Sequence, residues 1–401
     1  MREVREAVET SGGGRTGAGE IRRFAARWSA HADARGAEAG GDFVRSPAGL
    51  WLALGVVAAG ARGETAEEIR QLLGVAEGDA ARAVGAVSRA LAGTDALGLA
   101  TCVWSRVPVY REFQETLPDV AVGRLDPAAV DAWVREATDG MIERLPVRIG
   151  DDTLLAVVNA LALKARWEDP FPRRRTADRD FTDAAGTRHR VPTMHKGVPL
   201  ADIWTVGATR VAELRCRSGH NGPTGHNGLT GHDGPPGSDG PAAPGRGGGP
   251  ARVRFLLGPE GAGPADVLPA GWAPPGERTP PAADRAEIAL PRLSLRTTVE
   301  VTGELPGWGI RRATTGLADF SGLSPEPLAL SRVVQEAVLE IAEEGVEAAA
   351  VSVVPMAPGA APPPPRRTET LRFARPFGIV VLDEAGEVPL FIAWQEEAPC
   401  G

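Results

Sequence analysis

Two hydrophobic periods divide the chain. Between Ala129 and Leu145 apolar residues recur at helical spacing, with Val130, Trp133, Val134, Ala137, Met141 and Ile142 on one face and Pro146 placed to stop the helix. Ile21–Ala34 and a segment opening at Ser46 and running through Leu54 are further helix candidates. From Val198 onward a period of two predominates. It predicts strands at Val211–Leu214, Val253–Leu257, Ile288–Leu290 and Leu328–Ile341, and a hairpin of Ile379–Leu382 with Leu390–Trp394. Residues 1–19 read as a disordered lead, and 20–401 as one domain.

One run fits neither period cleanly. Val338, Leu339 and Ile341 belong to a strand, but Glu343, Glu344 and Gly345 interrupt it, and glycine permits a bend that other residues resist. Beyond the bend Val346, Ala348, Ala350, Ser352 and Val354 share one parity, while Glu347, Ala349, Val351 and Val353 share the other. A strand, a hinge and a second, small-residue strand in waiting describe a loop able to enter a sheet later.

A second irregular tract lies between Cys216 and Arg252. Glycine stands at 219 and at every third position to 240, and His220, His226 and His232 recur every six residues. Only glycine fits the axis of a collagen triple helix, but prolines are sparse here, so a polyproline-like loop at a hairpin tip is the favoured reading over trimerisation. Weak binding of a transition metal by those histidines is the minor alternative, and no metal site is assigned.

Composition narrows the function classes. The 401 residues carry a net charge of -8, which argues against nucleic-acid binding, since that requires a clustered basic face. Of the 44 basic residues only Lys164 and Lys196 are lysine, a bias of the kind GC-rich coding produces. Arg173-Arg174-Arg175 reads as a solvated turn. Cys102, Cys216 and Cys400 give an odd count without framework spacing. No apolar leader follows Met1, and Leu50–Ala59 is too short to span a bilayer, so a cytoplasmic location without membrane contact is expected, with an extracellular one as alternative. There is no H-E-x-x-H, G-x-S-x-G, phosphate-cradling loop or CxxC. His31, His189 and His195 are not placed in a triad by sequence, and no catalytic residue or cofactor is assigned.

The hinge run resembles the reactive-loop hinge of the serpins, inhibitors that trap serine proteases by inserting this loop into their main sheet. Other motifs follow in the family's order. Asn159, Lys164, Trp167, Pro170 and Phe171 look like N-x-x-x-x-K-x-x-W-x-x-P-F, and Ser46-Pro47 with Gly63–Ile69 resembles its S-P and G-x-T-A-x-x-I elements. Trp133, Val134, Thr138, Gly140 and Ile142 are similar to the helix lying across the main sheet. Asp319–Ser324 and Phe373–Phe377 match two further signatures.

The resemblance, read as one to a bacterial-type member, implies an α+β fold with three β-sheets packed with about eight or nine helices, and a monomer. It implies a reactive loop at 343–370 with hinge residues Glu343, Gly345, Val346, Glu347, Ala348, Ala349 and Ala350, and a glycine-rich insertion at 217–251. Counting from Glu343 puts the scissile bond at Gly359–Ala360, which suits a small-pocket, elastase- or subtilisin-like serine protease, with Arg366 and Arg367 as a trypsin-like alternative. It further implies a sheet-opening cluster of Ser46, Asn159, Trp167 and Gln335. Glu77–Leu91, where some relatives bind heparin, carries only Arg82 and Arg89, so no such site is expected. Three departures point toward a non-inhibitory binding or scaffold protein instead: Pro355 in the inserting segment, Gly49 where the family has serine, and Gln335 where it has histidine.

Overall fold

The computed structural model describes residues 13–35, 41–76, 79–92, 97–118, 120–138, 140–144, 150, 153–163, 166–217, 250–345 and 367–400. Among these residues fifteen strands form three sheets. The five-stranded sheet runs β11 (Leu293–Glu300), β12 (Val333–Ile341), β4 (Leu155–Leu163), β2 (Leu97–Ser105), β3 (Ala121–Arg124). Its β11–β12 and β4–β2 pairs are antiparallel, but β12 and β4 run parallel, with Gln335 opposite Asn159. The six-stranded sheet, β1 (Phe43–Arg45), β15 (Pro389–Gln395), β14 (Phe377–Leu382), β9 (Arg252–Leu257), β8 (Thr209–Arg215), β7 (Ile203–Val206), is antiparallel throughout. A four-stranded sheet orders β13 (Thr368–Arg372), β10 (Arg285–Pro291), β6 (Arg188–Val198) and β5 (Ala177–Thr182).

The predicted strands all form, with edges moved. Leu328 lies ahead of β12, which starts at Val333, because the preceding segment packs Leu328 and Leu330 into the core without pairing. Along β12 alternation assigns Val333, Ala337, Leu339 and Ile341 to the main core, with Gln335 buried on the same face, and Val338 to a second cluster under the helix Pro127–Ala137. That helix is shorter than its apolar spacing predicts. Thr138 closes its end by donating to Val134 O (2.8 Å) and accepting from the Ile142 N–H (3.1 Å), and Gly140 takes a left-handed conformation at φ +80°. Met141 and Ile142 still pack into the second cluster, but from a turn.

Among the described residues there are seven α-helices. Leu268–Trp272, Pro275–Glu277 and Leu305–Trp308 are short 3-10 turns, each with a proline in its first turn, where no intrahelical donor is lost. The first helix extends from Gly13 to Arg35, beginning ahead of Ile21. Pro47–Gly60 is apolar on every side and almost wholly buried, as a helix inside a core must be. Gly55 lets it approach the helix Ala80–Ala92, since a Cβ there would collide with Val84.

The β8–β9 hairpin carries the glycine-rich tract as expected. Arg215 pairs with Arg252, and the Cys216 N–H donates to Ala251 O (2.9 Å), closing the hairpin before the tract begins. Arg254 is buried, bonds Glu213 at 2.8 Å and lies over the Trp204 ring. Pairing offsets part of the cost of taking these two charges out of water.

Candidate functional site

The chain reverses just after β12. Ala342 and Gly345 exchange backbone hydrogen bonds of 3.0 and 3.2 Å, and Gly345 sits at φ +102°, a conformation that disfavours any side chain. Gly345 also forms an antiparallel bridge with Arg166, on the segment that continues β4. The end of the bend is thus already paired on the β4 side of the β4–β12 seam.

Polar groups hold this bend from several directions. The Trp167 indole donates to Ala342 O (2.9 Å), its backbone N–H to Glu344 O (3.0 Å), and the Phe171 N–H to Glu343 O (2.7 Å). The Glu343 carboxylate is buried and accepts from Arg292 Nε (3.1 and 3.0 Å), Arg292 Nη2 (2.5 Å) and Thr176 Oγ1 (2.6 Å). Burial alone would raise its pKa, but the bonds from Arg292 and Thr176 outweigh that and hold it below the usual carboxylate range. Glu344 pairs with Arg173 at 3.1 Å, so the Arg173–Arg175 turn is solvated yet gives one member to the bend.

Sequence reasoning missed Arg292, Thr176 and Arg173. Arg292 stands between β10 and β11, and nothing in its neighbours marks it as a partner of Glu343; only the basic run at 173–175 offered a signal. Of the predicted hinge residues Glu343 and Gly345 fall here. Val346, Glu347, Ala348, Ala349 and Ala350 lie outside the described residues, as do Gly359, Ala360 and the tract 218–249.

The predicted sheet-opening cluster separates into two. Thr101, Asn159 and Gln335 occupy one row across β2, β4 and β12. Asn159 Nδ2 donates to Thr101 Oγ1 (2.9 Å), and Gln335 Nε2 donates to Asn159 Oδ1 (3.4 Å) and Ser46 O (2.8 Å). Gln335 Oε1 accepts from the Ser46 N–H (2.7 Å), while Ser46 Oγ donates to Leu390 O (2.6 Å) and accepts from the Gly49 N–H (3.1 Å). Gly49 therefore contributes through its backbone where a serine side chain was expected. Trp167 is not in this row. It stands at the bend, with its ring edge-to-face on Phe255 at 6.4 Å, because its strand segment bridges to Cys216 at the end of β8.

On the other face of β12, Glu336 is 2% exposed. Its Oε1 accepts from Arg296 Nε (2.8 Å), Oε2 has no partner among the described residues, and burial raises its pKa against the opposing pull of Arg296. Arg296 also reaches Met141 O (3.4 Å), linking β11 to the turn after the helix Pro127–Ala137.

No group of His, Cys, Asp or Glu among the described residues could hold a metal, and no described helix is long and apolar enough to cross a membrane. His189 bonds Asp183 (2.7 Å) and His195 lies 3.3 Å from Glu287, with no serine hydroxyl on either ring among the described residues.

The family model described as "Serpin (serine protease inhibitor)" matches residues 21–219 and 276–394, leaving out most of the glycine-rich tract. Alpha-1-antiproteinase 2 of Equus caballus is 28% identical over 264 residues, covering 66% of this chain and 54% of that protein. Alpha-1-antiproteinase of Callosciurus caniceps is 27% identical over 271 residues, covering 66% and 56%. The chain thus spans little more than half the length of these curated relatives. Serpin48 of the insect Tenebrio molitor superposes with a TM-score of 0.73 at 23% identity, covering 96% of this chain and 98% of its own. Human thyroxine-binding globulin complexed with its hormone gives 0.72 at 20%, covering 95% and 98%. These relatives are animal proteins, and the bacterial-type expectation finds no support in them. With the family model spanning most of its length and the three-sheet architecture in place, the chain belongs to the serpin family.

Proposed function

We propose that this protein is a suicide-substrate inhibitor of serine endopeptidases. The observation that carries the reading is the reversal at Ala342–Gly345 beside a parallel seam between β4 and β12. A strand fed back from Gly345 would run antiparallel to both neighbours. It would replace one slanted parallel ladder by two antiparallel ones, the slightly stronger pairing. Each added backbone hydrogen bond contributes about 0.5–1.5 kcal/mol net, so an insertion of roughly ten residues supplies the driving force. The small residues Val346, Ala348, Ala350 and Ser352 suit passage between packed strands.

In this reading the target protease performs the only chemistry. Its serine attacks the loop carbonyl, forming an acyl-enzyme, and the freed loop inserts before deacylation, carrying the protease along. The scissile bond is assigned to Gly359–Ala360 and the target to enzymes with a small specificity pocket. The names of the curated relatives support the protease-inhibitor part of this reading.

A second reading, a non-inhibitory binding protein, is favoured by the density of bonds on the hinge and by Pro355. Incubation with elastase and subtilisin, read on a denaturing gel, separates the two. An inhibitor gives a covalent band at the summed mass, and its cleaved form melts far above the intact one. Clean cleavage with unchanged melting temperature would overturn inhibition.

A further inference from the structure

A cavity of about 410 Å³ opens on the four-stranded sheet, between its β5 edge and the chain leaving β13. Ala177 and Thr193 are register partners, and Ala289 pairs with Arg372, so small side chains form the floor. Arg179 stands over this floor from β5 and Arg372 from the end of β13. Asp178 and Asp180 take the other parity of the edge strand, and both line the rim of the cavity. Arg190 is committed there, bonding Asp180 Oδ1 at 3.1 Å and Asp178 O at 2.6 Å.

Among the described residues Arg179 and Arg372 make no ion pair and no side-chain hydrogen bond. Four arginines elsewhere on or beside the sheets do have acid partners: Arg292 with Glu343, Arg296 with Glu336, Arg254 with Glu213 and Arg210 with Glu369. Two guanidinium groups without an acid partner among the described residues therefore line one cavity. The guanidinium fork matches carboxylate and phosphate oxygens bidentately. The volume lies within the range of small-molecule pockets.

We infer that this cavity binds a small organic dianion, with Arg179 and Arg372 each taking one acid group and the Ala177–Thr193–Ala289 floor supporting the carbon chain. Such a ligand bridges β5 to the segment Arg372–Ala374. That segment is already tied to the sheet by the Thr182 N–H to Ala374 O (2.9 Å) and the Phe373 N–H to Ala289 O (2.9 Å). It therefore binds the intact protein and stabilises the attachment of β13.

Isothermal titration of the full chain with malonate, succinate and glutarate, at constant ionic strength and with acetate as control, tests this. One member of the series is expected to bind saturably with one site per chain and to raise the melting temperature. Arg179→Gln and Arg372→Gln are each expected to weaken it about tenfold or more, as loss of a charge-assisted pair does. Both positions are exposed, and unchanged melting without ligand verifies that the variants fold. Absence of saturable binding by all three dianions overturns the inference. So does equal affinity for acetate, or affinity unchanged in both variants.

Discussion

Gln335 shows how one side chain can join two parts of the molecule. It donates to and accepts from the Ser46 backbone while touching Asn159, so truncation strands buried groups on both sides of the row. Gln335→Ala is expected to destabilise the protein by about 2–4 kcal/mol, since each orphaned buried group costs roughly 1–3 kcal/mol; denaturant unfolding measures it. The two buried acids of this region respond oppositely to pH. Glu343, with its folded pKa held down, contributes stability that is present above the unfolded carboxylate value of about 4.3 and lost as pH falls through the folded value. Arg292→Ala should thus lower the melting temperature at pH 7 and lose most of its effect on acidification. Glu336, with its folded pKa raised, costs stability above its folded value and nothing below the unfolded one. Glu336→Gln should therefore stabilise at pH 7, and the gain should vanish toward pH 4; a pH-independent difference would refute the assignment. Asn159 and Gln335 were legible as candidates because a motif named them. Arg292 and Thr176 were not, because contacts with residues 51 and 167 positions away from Glu343 leave no local pattern.

At the scale of elements, alternation located every named strand because burial on one or both sheet faces imposes it. It failed where another force set the boundary. The helix predicted to Leu145 ends at Ala137 because the Thr138 side chain competes for backbone partners. Trp167 was grouped with the opening cluster because it shares a motif with Asn159, whereas the intervening strand and connection carry it to the bend. The seam itself makes a testable demand on the residues beyond Gly345. If Val346 begins a strand between β4 and β12, Val346→Arg must place a charge between packed strands at a cost of several kcal/mol. The variant is expected to be cleaved without trapping the protease, raising the stoichiometry of inhibition severalfold in titrations against the active enzyme. Unchanged stoichiometry would remove insertion from the mechanism.

For the molecule as a whole, the sequence motifs made the family and its sheet count readable, and the tract at 218–249 stood out because its glycine period belongs to no packed element. The closed β8–β9 hairpin beneath it predicts that replacing 218–249 by Asn-Gly leaves melting and protease inhibition unchanged, as loop length costs little. Light scattering checks the alternative, since a trimer that becomes monomeric on deletion would establish a collagen-like association. The six-stranded sheet has a different consequence. Its order places β15 and β14, its last strands in the chain, between β1 and β9, which come earlier. A ribosome adding roughly 5–20 residues per second exposes the apolar edges of β1 and β9 well before their partners emerge. This sheet cannot close progressively during synthesis. It must wait for Phe377–Gln395, so a chain released short of that segment lacks the middle of its own sheet, and a chaperone that shields the waiting edges acts on the nascent protein rather than on the finished one.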